Sequence, residues 1–403
     1  MVEQSLDTNY SRSANVLIFL FPIVIISLQV AGDIVLFILA MMGVYVSISK
    51  KISPFIIKEI KVFSYLTIGY FAAVCISVLF SGQPIELAHY IPRDFHFLFA
   101  PFIALALYKA KININYLIFG VKVSLLVSGA IVIYHGGERV TGVMNPAVFG
   151  NLVVSLFFII LVFSQNESFK HKTFSVLSLL FGLIAIVGSG TRGAWLSFLL
   201  LLGVYLFFSY KKISKLNSES KIIVVLIISG VLSFGIFNQN LNDRIHIAYQ
   251  EVSNWMQGDT TTNPVGLRLG IYKKAIENIE AVPFFGHGYR TSNIALFQND
   301  TSALGLGSVG FNHLHNAYLT NYYNGGIVLL GALLLLLFVP LRIFIKANIQ
   351  NSENPIAILG ALVILGYASF GMVNILLGDT YMNGFYVFFL AIFLLLTNKS
   401  IKV

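Results

Sequence analysis

The sequence is short of charge. Only 11% of its 403 residues are Asp, Glu, Lys or Arg, 57% are hydrophobic, and the mean hydropathy is +0.82. A soluble fold of this length needs far more charge to cover its surface, so the composition excludes a water-soluble globular protein. The composition indicates that a lipid bilayer is the solvent.

Cysteine and the features of a signal peptide are also scarce. The single cysteine, Cys75, lies within an apolar run, so it forms no internal disulfide and gives no information on the redox compartment. The opening segment MVEQSLDTNYSRSA lacks a strongly basic region and a small-residue cleavage site. We therefore expect the first apolar run to stay as a membrane helix.

Apolar runs, by contrast, are abundant, and twelve can be read along the chain. Several need their polar or aromatic flanks to reach the roughly 20 residues that cross the hydrocarbon. The runs are 16–30, 34–48, 62–80, 95–108, 116–134, 148–163, 174–187, 195–208, 222–237, 327–345, 356–372 and 381–396. They predict an all-α, polytopic integral membrane protein with about 12 transmembrane helices.

The positive charges divide by side of the membrane. With a cytoplasmic N-terminus, seventeen of the 26 Lys and Arg residues lie inside, eight lie outside, and Lys122 lies within a span. This cytoplasmic excess is the positive-inside pattern and predicts that both termini are cytoplasmic. The net charge of +9 therefore follows the topology, and we expect no nucleic-acid partner.

The outside cations differ in kind from the inside ones. Fifteen of the seventeen inside cations are Lys, whereas six of the eight outside cations are Arg: Arg93, Arg139, Arg192, Arg244, Arg268 and Arg290. A guanidinium grips phosphate through two parallel hydrogen bonds, which predicts an anionic, phosphate-bearing ligand at the outer face. The alternative is that these arginines reach lipid headgroups or pair with nearby acids. Arg192, in GSGTRGAW, has no acidic residue near it in sequence.

One long polar loop, residues 238–315, separates the predicted helices of 1–237 from those of 316–403, and the orientation places it outside. Within it we predict a helix that begins near Asn263 and Pro264 and ends before Pro283. Its predicted apolar face holds Arg268, Tyr272, Ala275, Ile276 and Ile279, while Lys273, Lys274, Glu277 and Glu280 lie elsewhere. Arg268 thus points with the apolar stripe, unless it merely lies at a ragged helix start.

The loop ends in FNHLHNAYLTNYYNGG, where His313 and His315 precede the tenth span. A helix N-terminus favours neutral imidazole, the form that a general base needs, so His315 is a candidate base; the alternative is a structural interfacial histidine. The outside histidines and acids show no metal-ligand spacing, so no metal site is expected. No dinucleotide or P-loop fingerprint occurs, and no cofactor is expected.

These segments together resemble the O-antigen ligase family. The resemblance rests on GTRGAW at 190–195, on GLRLGIY with its trailing PFFGHG, and on HLHN followed by a glycine-bearing span, and it covers the chain from about Arg139 onward. It implies a GT-C-like helical fold in the bacterial inner membrane. It also implies inverting, metal-free transfer of a glycan from undecaprenyl pyrophosphate to a sugar hydroxyl of lipid A-core, at the periplasmic face.

The resemblance assigns roles to particular residues. Arg192 and Arg268 match the two arginines that bind the pyrophosphate, and Arg139 is a candidate third contact. His315, followed by Asn316, matches the histidine that positions or deprotonates the acceptor hydroxyl.

One departure concerns the glycines after this histidine. Nine residues lead from Asn316 to Gly326 as in the family, but the next expected glycine is Leu329, and Gly331 stands two residues further on. The departure affects how this span packs, and His313 remains a rival for the catalytic role.

Two other functions are open from the sequence. An O-antigen polymerase shares the donor and the arginines but uses a second lipid-linked glycan as acceptor. A secondary transporter for an anionic substrate is the other, although transporters usually keep ionisable groups near the bilayer midplane and here only Lys122 is clearly within a span.

Overall fold

The structure is a computed structural model, and helices are the regular secondary structure of the residues that it describes. These are residues 2–28, 30–136, 143–164, 167, 169–214, 239–257, 264–297, 313–352 and 354–397. No β-strand occurs within these ranges, in agreement with the predicted fold class.

Fifteen α-helices and two short 3₁₀ segments make up the described chain. The helices are α1 (Val2–Ser27), α2 (Ala31–Ser49), α3 (Lys58–Leu79), α4 (Pro84–Leu87), α5 (Phe95–Lys109), α6 (Ile114–Tyr134), α7 (Pro146–Phe163), α8 (Phe169–Gly188), α9 (Arg192–Ser214), α10 (Gln239–Met256), α11 (Pro264–Glu277), α12 (Ser292–Phe297), α13 (Ala317–Gln350), α14 (Pro355–Gly371) and α15 (Thr380–Thr397). The 3₁₀ segments are Ala88–Asp94 and Ile279–Ala281.

Eleven of the twelve predicted spans coincide with described helices. Among the described residues, eight helices are long and apolar enough to cross a membrane: α1, α2, α3, α6, α7, α8, α13 and α15. The apolar stretch Arg192–Phe208 of α9 and the helix α14 are shorter, and α5 has 15 residues. The ninth predicted span, 222–237, lies outside the described residues, so the count of twelve stays a prediction.

The helices pack around α7 and α15, whose apolar windows are each 89% buried. The other spans expose apolar side chains on one face, as expected of helices that contact lipid. Lys122, the one cation predicted within a span, is buried on α6. Its Nζ lies 2.7 Å from Oε1 of Glu167, so its charge is neutralised inside the protein.

α13 is broken near its start, at Gly325 and Gly326. These residues have φ values of −135° and +61°, and the break leaves the carbonyls of Tyr323 and Asn324 without helical partners. The segment after α11 supplies new donors: the backbone N–H of His287 bonds to Tyr323 O at 2.8 Å. The loop is thereby attached to a membrane helix by backbone hydrogen bonds.

A second donor completes this attachment. The backbone N–H of Gly288 bonds to Asn324 O at 2.9 Å, and the Ser77 hydroxyl donates to the same oxygen at 2.6 Å. The approach is so close that a Cβ at Gly326 would lie 1.9 Å from Phe284 O, and one at Gly286 would lie 2.4 Å from Gly325 N. Glycine is therefore required on both sides of the contact.

The loop helix begins at Pro264, as predicted, but the predicted packing face is only partly right. Ala275 is buried and Tyr272 is half-buried, as predicted. Arg268 and Ile276 are exposed, and the buried Ile271 lies outside the predicted face. The buried face belongs to a second apolar cluster with Val282, Leu296, Phe297, Leu314 and Tyr323. This cluster includes Tyr323, which lies next to the break in α13, and α11 packs against it.

The prediction for the lysines and acids of α11 holds in one part and fails in another. Lys273 and Glu277 pair at 4.0 Å on the surface, as their spacing indicates. The sequence predicts that Lys274 lies away from the packing face. In the structure its Nζ lies 4.8 Å from the centre of the Phe297 ring.

We predict that Gly326→Ala destabilises the protein. The backbone of Gly326, with φ +61° and ψ −155°, is a conformation that L-residues avoid, at a cost of about 1–3 kcal/mol, and the added methyl clashes with Phe284 O. The expected result is a lower melting temperature of the detergent-solubilised protein. Gly331→Ala is the control, because a Cβ there meets open space; equal melting temperatures for the two variants would contradict the prediction.

Candidate functional site

Several helix ends meet at one end of the bundle, which we call the loop end. α9 and α13 begin there, α14 ends there, and α10, α11 and α12 pack beside them. The residues just after the C-terminus of α14 contact both the start of α9 and the start of α13. A Cβ at Gly193 would lie 2.8 Å from Val373, and Met372 O accepts from the Asn316 amide at 3.3 Å.

The segment GSGTRGAW forms the tight connection between α8 and α9. Gly190 adopts φ +61°, and the Trp195 indole N–H closes the turn by donating to Ile186 O at 3.0 Å. α9 then begins at Arg192, so this cation lies where the helix already carries partial positive charge. Two positive contributions at one point attract an anion.

The anionic partner of Arg192 in this structure is Glu251 of α10. Nη1 of Arg192 lies 2.7 Å from Oε2 of Glu251, whose side chain is 9% exposed, while the arginine side chain is 36% exposed. The residues are 59 positions apart, so no inspection of the sequence near Arg192 reveals the pair.

Tyr272 joins α11 to the histidine segment. Its hydroxyl donates to His315 O at 2.8 Å and also lies 3.3 Å from Met372 O. Arg268 is one helical turn before Tyr272 and is exposed. Its positive charge contributes to lowering the pKa of both His313 and His315. The structure thus brings Arg268 and the histidines to the same place, and Tyr272 is a site residue that the sequence analysis missed.

His313 and His315 form a compact pair whose rings lie 4.5 Å apart. Burial lowers the pKa of His315 to about 3, helped by His313 and Arg268, and lowers that of His313 to about 4, helped by Arg290 and Arg268. Both imidazoles are therefore neutral at neutral pH. His315 also has a left-handed backbone, with φ +52°.

The hydrogen bonding of this pair distinguishes the two rings. The backbone N–H of His315 donates to Nδ1 of His313 at 3.1 Å. A neutral His313 that accepts at Nδ1 carries its proton on Nε2, so its outer nitrogen is a donor and not a base. This assignment makes His315 the better candidate for a base.

Asn316 has a structural role that was not foreseen. Its side-chain oxygen accepts from the backbone N–H groups of Tyr318 and Leu319, both at 3.0 Å, and so caps α13. The cap holds the helix start directly after His315. The sequence candidate Arg139 lies outside the described residues.

Arg290 is a further member of the loop end that sequence reasoning did not assign to a site. It follows the PFFGHG segment, has φ +66°, donates from Nη1 to Gly378 O at 3.2 Å, and lies 5.1 Å from the centre of the Tyr90 ring. Its charge contributes to the lowered pKa of His313. The only signal in the sequence was its place among the outside arginines.

A buried acid stands beside Arg290. Asp94 is fully buried, accepts from the Tyr289 hydroxyl at 2.5 Å and from the Asn383 amide at 3.0 Å, and its pKa is raised by burial to about 6. Among the residues that the structure describes, no three His, Cys, Asp or Glu side chains form a group suited to holding a metal ion. The chemistry available at the loop end is that of guanidinium groups, neutral imidazoles and helix N-termini.

Two comparisons with known proteins found similarities to this chain. A curated protein of Haemophilus influenzae, described as an uncharacterized protein, is 24% identical over 386 residues, which cover 90% of this chain and 92% of that protein. The family model described as O-antigen ligase matches residues 177–335, a segment that contains Arg192, Arg268, His313 and His315. Residues 177–335 of this chain are therefore similar to the O-antigen ligase family.

Proposed function

We propose that this protein is an inverting, metal-independent glycosyltransferase that moves O-antigen glycan from undecaprenyl pyrophosphate to a sugar hydroxyl of lipid A-core. Similarity to the O-antigen ligase family supports a membrane glycosyltransferase-type activity in general. The observation that carries the finer proposal is the hydrogen bond from Tyr272 to His315 O. It joins the helix that bears Arg268 to the candidate base, at the end of the bundle where Arg192 begins α9.

The proposal includes an orientation. The Lys and Arg distribution favours cytoplasmic termini and a loop end on the opposite side of the membrane. The twelve apolar runs favour twelve spans, and similarity to the O-antigen ligase family favours the bacterial inner membrane, where the loop end would face the periplasm. Residues 238–315 are then a periplasmic loop between the membrane helices of 1–237 and those of 316–403, and all three parts form one membrane domain.

In the proposed reaction the acceptor hydroxyl oxygen attacks the anomeric carbon of the donor sugar. The bond from that carbon to the pyrophosphate oxygen breaks, and its electron pair leaves with undecaprenyl pyrophosphate. Arg192 and Arg268 bind the leaving group, whose negative charge grows as the bond breaks, and the N-terminus of α9 adds to the same field. The pyrophosphate itself needs no protonation to depart.

The histidines take two different roles in this proposal. His315 receives a hydrogen bond from the acceptor hydroxyl and takes its proton as the new bond forms. Its pKa of about 3 makes it a weak base before the donor binds. A bound pyrophosphate offsets the nearby positive charge and raises that pKa toward a more effective range. His313 donates from Nε2 and orients a ligand oxygen.

The salt bridge of Lys122 favours an enzyme over the transporter alternative. A transporter usually carries the charged side chains that bind its substrate near the bilayer midplane. The buried Lys122 is instead paired with Glu167 and donates to His171 O at 3.3 Å. A polymerase remains the rival within the family, because it shares the donor and differs only in the acceptor.

A deletion strain separates the ligase from the polymerase. If the ligase proposal holds, lipopolysaccharide from the deletion strain lacks O-antigen on its core, and lipid-linked polymer accumulates on undecaprenyl pyrophosphate. Electrophoresis of lipopolysaccharide and mass spectrometry of the lipid-linked pool measure both. Core capped with a single repeat would identify a polymerase, and full-length chains on core would rule out both.

Substitutions at the arginines test the proposed leaving-group contacts. We expect Arg192→Ala and Arg268→Ala to reduce transfer by roughly 100-fold or more, as for other groups that stabilise developing charge. Arg192→Lys should lose on the order of tenfold, because a point charge does not replace the planar fork. The measurement is transfer from purified lipid-linked donor in detergent. Lys273→Ala, at an exposed surface pair, is the control that should retain activity.

The low histidine pKa values predict the pH dependence. The free enzyme keeps His313 and His315 neutral above about pH 4, and protonation is lost as the pH rises through that value. We therefore expect the acid limb of kcat/KM well below pH 6.5, the ordinary histidine pKa. A profile of initial rates against pH measures it. An acid limb centred near pH 6.5 would contradict the assignment of His315 in this environment.

A further inference from the structure

Glu251 contacts only one of the three guanidinium nitrogens of Arg192. Oε2 of Glu251 lies 2.7 Å from Nη1, and within the described part of the chain the other guanidinium nitrogens of Arg192 make no hydrogen bond. The carboxylate is nearly buried, whereas about a third of the arginine side chain is exposed. One partner is thus held inside the protein, and the other reaches toward the surface of the site.

This contact uses one nitrogen of the guanidinium and leaves the other two available for hydrogen bonds. An arginine can grip two oxygens of one phosphate through its Nη1 and Nη2 or through its Nε and Nη2. Because Glu251 occupies Nη1, the edge formed by Nε and Nη2 is left for a ligand. A buried carboxylate without its cation is strongly unfavourable, so Glu251 remains attached to Arg192 when a ligand arrives.

We propose that Glu251 is a positioning residue for the transfer reaction. It holds Nη1 of Arg192 so that the Nε–Nη2 edge faces the pyrophosphate of the donor. This inference rests on the proposed function, because it takes Arg192 as a contact to the leaving group. Glu251 itself does not touch the substrate.

The position of Glu251 in the fold supports this role. It belongs to α10, which packs against α11, the helix that carries Arg268. One loop therefore sets the direction of both arginines, although Arg192 begins a membrane helix. Arg192 also starts α9, where the helix N-terminus adds partial positive charge, so an anion is still attracted after Glu251 has offset the arginine charge.

The opposite reading is that Glu251 competes with the donor for Arg192. A competing carboxylate that imitates a phosphate would engage two nitrogens of the fork, as carboxylates do in bidentate pairs. The observed contact uses a single nitrogen, which favours positioning over competition. The two readings predict opposite signs for the effect of removing the carboxylate.

Three substitutions separate geometry from charge. Glu251→Gln keeps an acceptor oxygen at the same reach and removes the charge, whereas Glu251→Asp keeps the charge and shortens the side chain by one methylene. We expect Glu251→Gln to retain kcat within about threefold, and Glu251→Asp and Glu251→Ala to lose roughly tenfold or more. The KM for the lipid-linked donor should change less than kcat. A misoriented Arg192 guanidinium weakens binding most in the transition state, when negative charge develops on the leaving group.

The assay is transfer by the full-length protein in detergent, at varied concentrations of undecaprenyl pyrophosphate-linked glycan, with melting temperature recorded for each variant. Glu277→Ala is the matched control, since it removes another loop glutamate from an ion pair, in this case an exposed one. It should leave kcat and KM unchanged.

Three results would overturn the inference. They are wild-type kinetics in Glu251→Ala, full activity in Glu251→Asp combined with loss in Glu251→Gln, and faster transfer on removal of the carboxylate. If Glu251→Ala does not fold, the order of the Gln and Asp variants still decides. Arg192→Ala is measured alongside: normal transfer in that variant refutes the proposed function itself, whereas loss there with wild-type kinetics at position 251 refutes only the role of Glu251.

Discussion

The hydrogen bonds that fill the break in α13 are the constraint on which the rest of the structure depends. Backbone carbonyls freed at the membrane surface must find donors, and the N–H groups of His287 and Gly288 supply them to Tyr323 and Asn324. The loop is attached there at a fixed register. The positions of α11 and of every side chain that it presents follow from this attachment.

The arginine charges at the loop end affect both the protonation of the histidines and the binding of an anion. Arg192 begins α9, and the charges of Arg268 and Arg290 both contribute to lowering the pKa of His313. Together with burial, this positive charge keeps His313 and His315 unprotonated at neutral pH. In the proposed reaction the same charge attracts the diphosphate of the donor, and the bound anion raises the pKa of His315, so that donor binding makes His315 a better proton acceptor.

Local features of the site were predictable where neighbours in sequence decide them. The start of α11 at Pro264 and the Lys273–Glu277 pair depend on spacing along one helix, and both are present. The face on which α11 packs was predictable only in part: Ala275 lies on the predicted stripe, but Ile271 does not. Both are buried in a cluster with residues such as Leu314 that lie far along the chain. The pattern around Arg268 alone indicated an equally plausible apolar stripe.

By itself, the sequence determined that the chain is a membrane protein of many helices, and it indicated most of their positions, because the length and hydropathy of an apolar run are local properties. It also indicated which arginines and histidines are candidate site residues. The tertiary structure decided which of them meet. Glu251 reaches Arg192 across 59 residues, and Tyr272 reaches His315 across 43. Such contacts depend on how helices cross, and that is set by packing of the whole bundle.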